Sequence, residues 1–249
     1  MKNKDLKELY ELVKENNVEA ICELAYRKHE GLDTERNYEE AFELYKKASD
    51  LGSVKSIYNL GNCYYYGEGI KQDLEMAFKL YNDASDKGNE NATYMLAMCY
   101  RYGYGTKINL KKAFEIFYEY SEKGDGDALY NLSNMYYEGL GTEQDLEKSF
   151  ICMKNSAESG YEMAYFWTGY KYIHEEGTMQ NDKEALKWLK KAVEINDDMG
   201  QWLLGTLYYE GNENGIEINS NKEYALELLK KSAKQGNEKA IEYLEKLNN

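Results

Sequence analysis

Residue types that carry out catalysis are sparse in this chain. His29 and His174 are the only histidines, and they fall in distant parts of the sequence. A nucleophilic triad or a proton relay needs a histidine within hydrogen-bond reach of its partners, and no triad can be argued from two isolated histidines. We expect each histidine to be a solvated polar residue. The sequence predicts that the protein is not an enzyme and that it has no catalytic residues, no cofactor site and no metal site.

The cysteines form no regular set. Cys22, Cys63, Cys99 and Cys152 lack the tight spacing that is typical of a disulfide scaffold. Free thiols in a reducing compartment explain them better. We expect all four to be small core residues, and we expect a cytoplasmic protein.

The balance of charge is strongly acidic, with 45 Asp and Glu against 31 Lys and Arg and a formal net charge of −14. Such a charge repels phosphates and anionic lipid headgroups, so we expect no nucleic-acid partner and no membrane binding. A basic protein or peptide is the partner that fits best. The first residues lack the apolar stretch of a secretory signal, and no later run approaches ~18 apolar residues. We expect a soluble protein, with a monomer favoured.

A repeat with a period of 36 residues organises the chain. Two series of small residues mark this period. The first comprises Ala20, Ser56, Ala92, Ala128, Ala164, Gly200 and, after a step of 40, Ala240; the second comprises Ala41, Ala77, Ala113, Ser149, Ala185 and, also after 40, Ala225. Because both series lose register together, the sequence predicts a four-residue insertion, placed in a longer loop at 211–219.

Each repeat predicts two helices. Ile57, Leu60 and Tyr64 follow helical spacing and are followed by glycines, which predicts a helix A. After a loop that contains Gly69, the segment from Leu74 to Lys87 carries a second apolar face, which predicts a helix B. Half repeats with charged outer faces would cap the two ends. We predict one all-α domain over 1–249, with an N-terminal cap helix (1–19), repeats at 20–55, 56–91, 92–127, 128–163, 164–199 and 200–239, and a C-terminal cap helix (240–249).

The consensus Ala-x-Tyr-Asn-Leu-Gly-Asn-x-Tyr-Tyr-x-Gly-x-Gly, followed by Asp-x-x-x-Ala-Phe-x-x-Tyr-x-x-Ala-x-x-x-Gly, is matched almost throughout residues 56–91. This pattern resembles the Sel-one-like repeat (SLR) family, a relative of the tetratricopeptide repeat. The resemblance implies a right-handed α-α superhelix, a solenoid of six helix-turn-helix repeats whose A helices line a concave groove. It also implies a protein-interaction scaffold. Departures from the pattern occur at Lys28, at Thr168, and at Asn196 and Asp197.

Aromatic residues recur on two faces of the predicted A helices, and we predict a packing role for one face and a binding role for the other. Tyr64, Tyr100, Tyr136, Tyr172 and Tyr208 share a helix face with small residues, and we predict that they fill space between repeats. A second face is rich in aromatic rings and amides, which suit peptide recognition. That face predicts a partner-binding groove with candidate residues Tyr58, Asn62, Tyr94, Met98, Arg101, Tyr130, Asn134, Tyr137, Phe166, Tyr170, His174, Trp202 and Tyr209.

Three functions are compatible with these patterns. The first is a non-enzymatic scaffold that binds a peptide or protein in the groove. The second is an immunity or inhibitor protein that neutralises a basic toxin or enzyme, whose encounter the negative charge would accelerate. The third, a hydrolase, is ascribed to secreted relatives with a cysteine pair in each repeat, and this chain lacks those pairs. The acidic stretch around Asp125 to Asp145 is an alternative electrostatic binding site.

Overall fold

The computed structural model describes residues 5–211, 216 and 218–248. Within these residues the chain forms fourteen α-helices and no strand. In chain order they are α1 (Leu6–Lys14), α2 (Val18–Glu30), α3 (Tyr38–Asp50), α4 (Val54–Tyr66), α5 (Leu74–Asp86), α6 (Glu90–Tyr102), α7 (Leu110–Glu122), α8 (Gly126–Glu138), α9 (Leu146–Glu158), α10 (Ala164–Ile173), α11 (Asp182–Glu194), α12 (Asp198–Glu210), α13 (Lys222–Lys234) and α14 (Glu238–Asn248). The all-α prediction is confirmed.

The chain divides into two compact units, Met1–Ile116 and Phe117–Asn249, with the boundary inside α7. In the first unit each helix from α1 to α5 packs on the helix that follows it in sequence. In the second unit the same holds for α8 to α13. We call α2, α4, α6, α8, α10 and α12 the A helices, and their successors α3, α5, α7, α9, α11 and α13 the B helices.

Short polar side chains begin most of these helices. An Asn, Asp or Ser immediately before the helix accepts a hydrogen bond from a backbone N–H in its first turn, which satisfies a donor that the helix itself leaves unpaired. Asn17, Asn37, Ser53, Asp73, Asn89, Asp125, Asp145, Asn181, Asp197 and Asn221 act in this way. In α10 the preceding residue is Met163, which makes no such bond.

The loop glycines allow one repeat to approach the next closely. A Cβ on Gly69 would overlap the carbonyl group of Tyr38, the first residue of α3. A Cβ on Gly105 would overlap the carbonyl of Leu74 in α5 in the same way. This contact explains the recurrence of glycine in the loop between the A and B helices.

Small residues on the A helices let the B helices pack against them. A Cβ on Gly61 would lie 2.8 Å from the Tyr81 ring, and one on Gly169 would lie 2.8 Å from Leu189 Cγ. Ala113, on α7, is fully buried. Gly200 of the first small-residue series is constrained in the same way, because a Cβ there would lie 2.6 Å from Ala192 Cβ.

The loop between α12 and α13 carries the expected extra residues, although 212–215 and 217 lie outside the described residues. Ile216 and Ile218 are buried in a core cluster with Leu204 and Leu228. The longer loop therefore contributes apolar packing to the second unit. The sequence analysis placed the loop but did not anticipate these two core residues.

Candidate functional site

The candidate residues of the first unit lie half-buried on α4 and α6. Tyr58 packs near Tyr81, with ring centroids 6.0 Å apart. The Tyr81 hydroxyl donates a hydrogen bond of 2.8 Å to Asn62 Oδ1. All five candidates in this unit are partly exposed to solvent: Tyr58, Asn62, Tyr94, Met98 and Arg101.

A cavity of about 250 Å³ lies at the surface of the first unit, between α2, α3 and α4. We call it the first-unit cavity. Its lining comprises Tyr26, His29, Glu30, Tyr45, Asn59, Asn62, Tyr66 and Glu68. Asn62 is the one lining residue among the sequence candidates. The others were missed for two reasons. Tyr26, His29 and Tyr66 share repeat positions with the candidates Asn62, Arg101 and His174 but were not carried into the candidate set. Tyr45 lies on a B helix and Glu68 in a loop, which positions along the A helices do not cover.

His29 connects two carboxylates at this cavity. Its Nδ1 lies 2.8 Å from Glu30 Oε1, and its Nε2 lies 2.8 Å from Glu68 Oε2. The ring also meets Tyr38 edge to face at 5.2 Å. The expectation that His29 is a solvated polar residue was wrong, because Glu68 reaches it from the following repeat. Two carboxylates surround one imidazole, so the cluster is negatively charged whether or not His29 is protonated.

Tyr45 forms the inner wall of the first-unit cavity. Tyr45 is only 2 % exposed to solvent. Burial raises the pKa of Tyr45 well above its ordinary value, so the phenol stays protonated. Its hydroxyl has no hydrogen-bond partner in the part of the chain that the structure describes.

In the second unit, Phe166 is a core residue and does not line a surface. It is 4 % exposed and packs with Leu189, Leu203 and Leu207. The expectation that its ring faces a partner is therefore corrected, because the rings of Trp167 and Tyr170 lie against it at centroid distances of 5.0 and 5.8 Å.

Tyr170 and three rings near it form what we call the second-unit aromatic surface: Tyr137, Trp167, Tyr170 and His174. Trp167 is 40 % exposed, and its ring centroid lies 5.9 Å from that of Tyr170. His174 is exposed and lies 4.1 Å from Tyr170 between ring centroids. The sequence analysis listed three of these residues and missed Trp167.

Lys171 underlies this surface as a buried cation. Its ammonium group lies 4.4 Å from the centroid of the Tyr137 ring and 3.4 Å from Glu176 Oε2. Burial lowers the pKa of Lys171, and Glu176 opposes that shift. The corresponding positions in other repeats hold Arg27, Cys63, Cys99, Met135 and Leu207, so a buried cation occupies this position in the first and fifth repeats.

The remaining candidates of the second unit are partly buried. Trp202 packs on the core cluster, with the Lys239 ammonium 4.5 Å from its ring centroid. Tyr209 meets Tyr243 of α14 edge to face at 5.9 Å. Tyr130 and Asn134 on α8 are of intermediate exposure. These residues present only parts of their side chains to solvent.

The sequence model of the Sel1 repeat matches residues 18–53, 54–89, 91–125, 126–161, 162–197 and 198–237. The chain belongs to the Sel1 repeat family. The resemblance inferred from the sequence is confirmed, and the fold is an all-α solenoid of Sel1 repeats. Sel1 repeats form a scaffold fold that is typical of proteins that take part in protein–protein interactions.

Solved Sel1 repeat structures are similar to this chain. One is c5321, a protective antigen present in uropathogenic Escherichia coli strains that displays an SLR fold, with 28% identity and a TM-score of 0.86. The match covers 96% of this chain and 50% of c5321, so the chain spans about half the length of that protein. A Sel1 repeat protein from Oxalobacter formigenes has 24% identity and a TM-score of 0.79, with 88% of this chain and 89% of that chain covered.

The immunity protein PA5088 from Pseudomonas aeruginosa shares the fold at 18% identity, with a TM-score of 0.56 and coverage of 88% of this chain and 82% of that one. A comparison of the sequence with curated proteins finds no match.

Burial disfavours the thiolate form of three cysteines in this Sel1 repeat protein. All four cysteines are free. Burial raises the pKa of Cys63 and of Cys99 to about 12 and that of Cys152 to about 11, which disfavours the nucleophilic thiolate. Cys22 is half-buried, and its sulfur lies 2.8 Å from the Ser56 hydroxyl.

Among the residues that the structure describes, no group of three or more His, Cys, Asp or Glu side chains is arranged to hold a metal ion. No helix in the same part of the chain is long and apolar enough to span a membrane.

Proposed function

We propose that this Sel1 repeat protein is a non-enzymatic scaffold that binds a peptide or protein on the surface of its A helices. The observation that carries the proposal is the exposure of tyrosine rings around the first-unit cavity. Tyr26 is 40 % exposed and Tyr66 is 63 % exposed. Exposed aromatic rings that border a polar cavity are characteristic of interaction sites, since Tyr gives a large contact area at a low entropic cost.

The chemistry of the site favours binding over catalysis. The thiols of Cys63 and Cys99 are held in the protonated form. The two nitrogens of the His29 ring are already engaged by Glu30 and Glu68. A general base needs a nitrogen that is available to the reacting group.

The net charge of −14 supports a basic partner and argues against nucleic acid and membrane surfaces. Four free cysteines suit a reducing compartment, and we place the protein in the cytoplasm on that basis.

Affinity capture from a cell lysate tests the proposal. The bait is the full chain, compared with Tyr26→Ser/Tyr66→Ser and with the control Tyr118→Ser, which changes an exposed tyrosine on the B helix α7. We expect one protein to be retained by the wild type and the control and lost from the double variant. Equal capture by all three baits would place the contact elsewhere.

An immunity-type inhibitor is the second candidate, favoured by the fold shared with the immunity protein PA5088 and by the acidic charge. The nature of the captured protein separates the two. An inhibitor binds a folded basic toxin or enzyme and abolishes its activity at a one-to-one ratio. A scaffold binds a linear segment, so a synthetic peptide of that segment competes with the whole partner.

A further inference from the structure

We propose that the first-unit cavity receives an arginine side chain of the partner protein. The inference rests on the proposed function, because it names the side chain that the scaffold recognises there. Three independent features of the cavity converge on a guanidinium group: its charge, the hydroxyl of a buried tyrosine that opens into it, and its aromatic walls.

Charge is the first feature. His29 engages Oε1 of Glu30 and Oε2 of Glu68, which fixes both carboxylates in place. The second oxygen of each carboxylate makes no hydrogen bond or ion pair with any residue that the structure describes. Two oriented acceptors on separate carboxylates match a planar donor fork, and hydrogen bonds between two charged groups are the strong ones.

The hydroxyl of Tyr45 is the second feature. Tyr45 is almost completely buried and yet lines the cavity, and its hydroxyl has no partner among the described residues. The hydroxyl itself is not sealed off, because it opens into the cavity. A ligand N–H that replaces water there meets an acceptor that the buried ring holds in a fixed position. The raised pKa of Tyr45 keeps its oxygen neutral, so the hydroxyl accepts an N–H from the guanidinium.

The aromatic walls distinguish arginine from lysine. The exposed rings of Tyr26 and Tyr66 border the cavity. A guanidinium stacks on such rings while its edge donates hydrogen bonds to carboxylates, whereas an ammonium is a compact, strongly hydrated point charge. At about 250 Å³ the cavity has room for a single long side chain.

The probes are three peptides, acetyl-Gly-Gly-Arg-Gly-Gly-amide and its Lys and Gln analogues, titrated into the isotope-labelled full chain by NMR. We expect saturable shifts of the Asn59 and Asn62 side-chain amides with the Arg peptide, weaker binding of the Lys peptide and none of the Gln peptide. Loss of charge-assisted hydrogen bonds in Glu30→Gln/Glu68→Gln should weaken the Arg peptide by about tenfold or more.

The matched control is Glu138→Gln/Glu143→Gln, which removes the same charge from exposed positions of the second unit. It should keep the affinity within about twofold, because exposed charges at a distance are screened. Tyr45→Phe should weaken the Arg peptide by about threefold to tenfold without loss of thermal stability, because the hydroxyl has no partner in the free protein. Equal binding of Arg and Gln peptides, or equal losses in both double variants, would overturn the inference.

These outcomes are separable from those of the proposed function. A natural partner that is lost from Tyr26→Ser/Tyr66→Ser but fully retained by Glu30→Gln/Glu68→Gln would leave the scaffold standing and refute the arginine site. Specific Arg-peptide binding together with equal capture by all tyrosine baits would support the cavity and refute the scaffold surface.

Discussion

Phe150 of α9 and Tyr172 of α10 meet edge to face, with ring centroids 4.9 Å apart. The tyrosine stands 22 positions after the phenylalanine, and the pair joins the B helix of one repeat to the A helix of the next. In the first unit the same spacing relates Phe42 to Tyr64, at 5.4 Å, and Phe78 to Tyr100, at 5.5 Å. These rings therefore hold successive repeats together.

Two glycine-to-alanine substitutions should differ strongly in their effect on the free energy of unfolding. Gly105→Ala places a Cβ against the Leu74 carbonyl, whereas a Cβ on Gly88 meets no atom within 4 Å. Both glycines have positive φ, so each Ala costs ~1 kcal/mol of backbone strain. We expect Gly105→Ala to lower the free energy of unfolding by ~3 kcal/mol and Gly88→Ala by ~1 kcal/mol. Urea denaturation measures both; equal losses would contradict the close approach.

Truncation of two adjacent aromatic residues on α10 should cost very different amounts of stability. Phe166→Ala removes a buried ring and should cost ~3–5 kcal/mol of stability. Trp167→Ala truncates an exposed ring and should cost less than ~1 kcal/mol. Thermal melts followed by circular dichroism compare the two. A Phe166→Ala variant that melts like the wild type would return this ring to the candidate binding surface.

Replacing Lys171 by methionine together with Glu176 by glutamine should stabilise the protein near neutral pH by ~1 kcal/mol, because the buried charge is removed without leaving its carboxylate partner unpaired. Met135 occupies the position of Lys171 in another repeat. Burial lowers the pKa of Lys171 below the ordinary value of 10.5. Between the folded and unfolded pKa values the unfolded chain binds more protons, so wild-type stability gains from rising pH.

The advantage of Lys171→Met/Glu176→Gln should consequently shrink as the pH rises towards 10.5. Chemical denaturation of both proteins across that interval measures the difference. An advantage that grows with pH would show that the ion pair with Glu176 dominates over burial.

Glu175 is a non-glycine residue in the left-handed region, with a φ of 54°. The equivalent positions after α4 and α6 are Gly67 and Gly103, which adopt the same conformation. Glu175→Gly relieves strain but increases the entropy of the unfolded chain, so we expect a net gain of ~0.5–1 kcal/mol. Glu162→Gly serves as the control on an exposed residue without positive φ and should give no gain in the same denaturation experiment.

The sequence predicts the helix pairs well because its period of 36 repeats the same apolar positions in every copy. It predicts the site less well. Phe166 shares its position with Tyr58 and Trp202, but its ring is covered by neighbours that the position alone does not specify. The contact between His29 and Glu68 joins two repeats through a loop residue, and no periodic pattern marks such a pair.

Hydrogen exchange of the full chain, alone and bound to its captured partner, tests the central claim most directly. The account predicts new protection in the A helices α2 and α4, around Tyr26 and Tyr66, with the B helices α3 and α5 unchanged. Protection confined to the B helices or to the acidic stretch from Asp125 to Asp145, with none in α2 and α4, would contradict it.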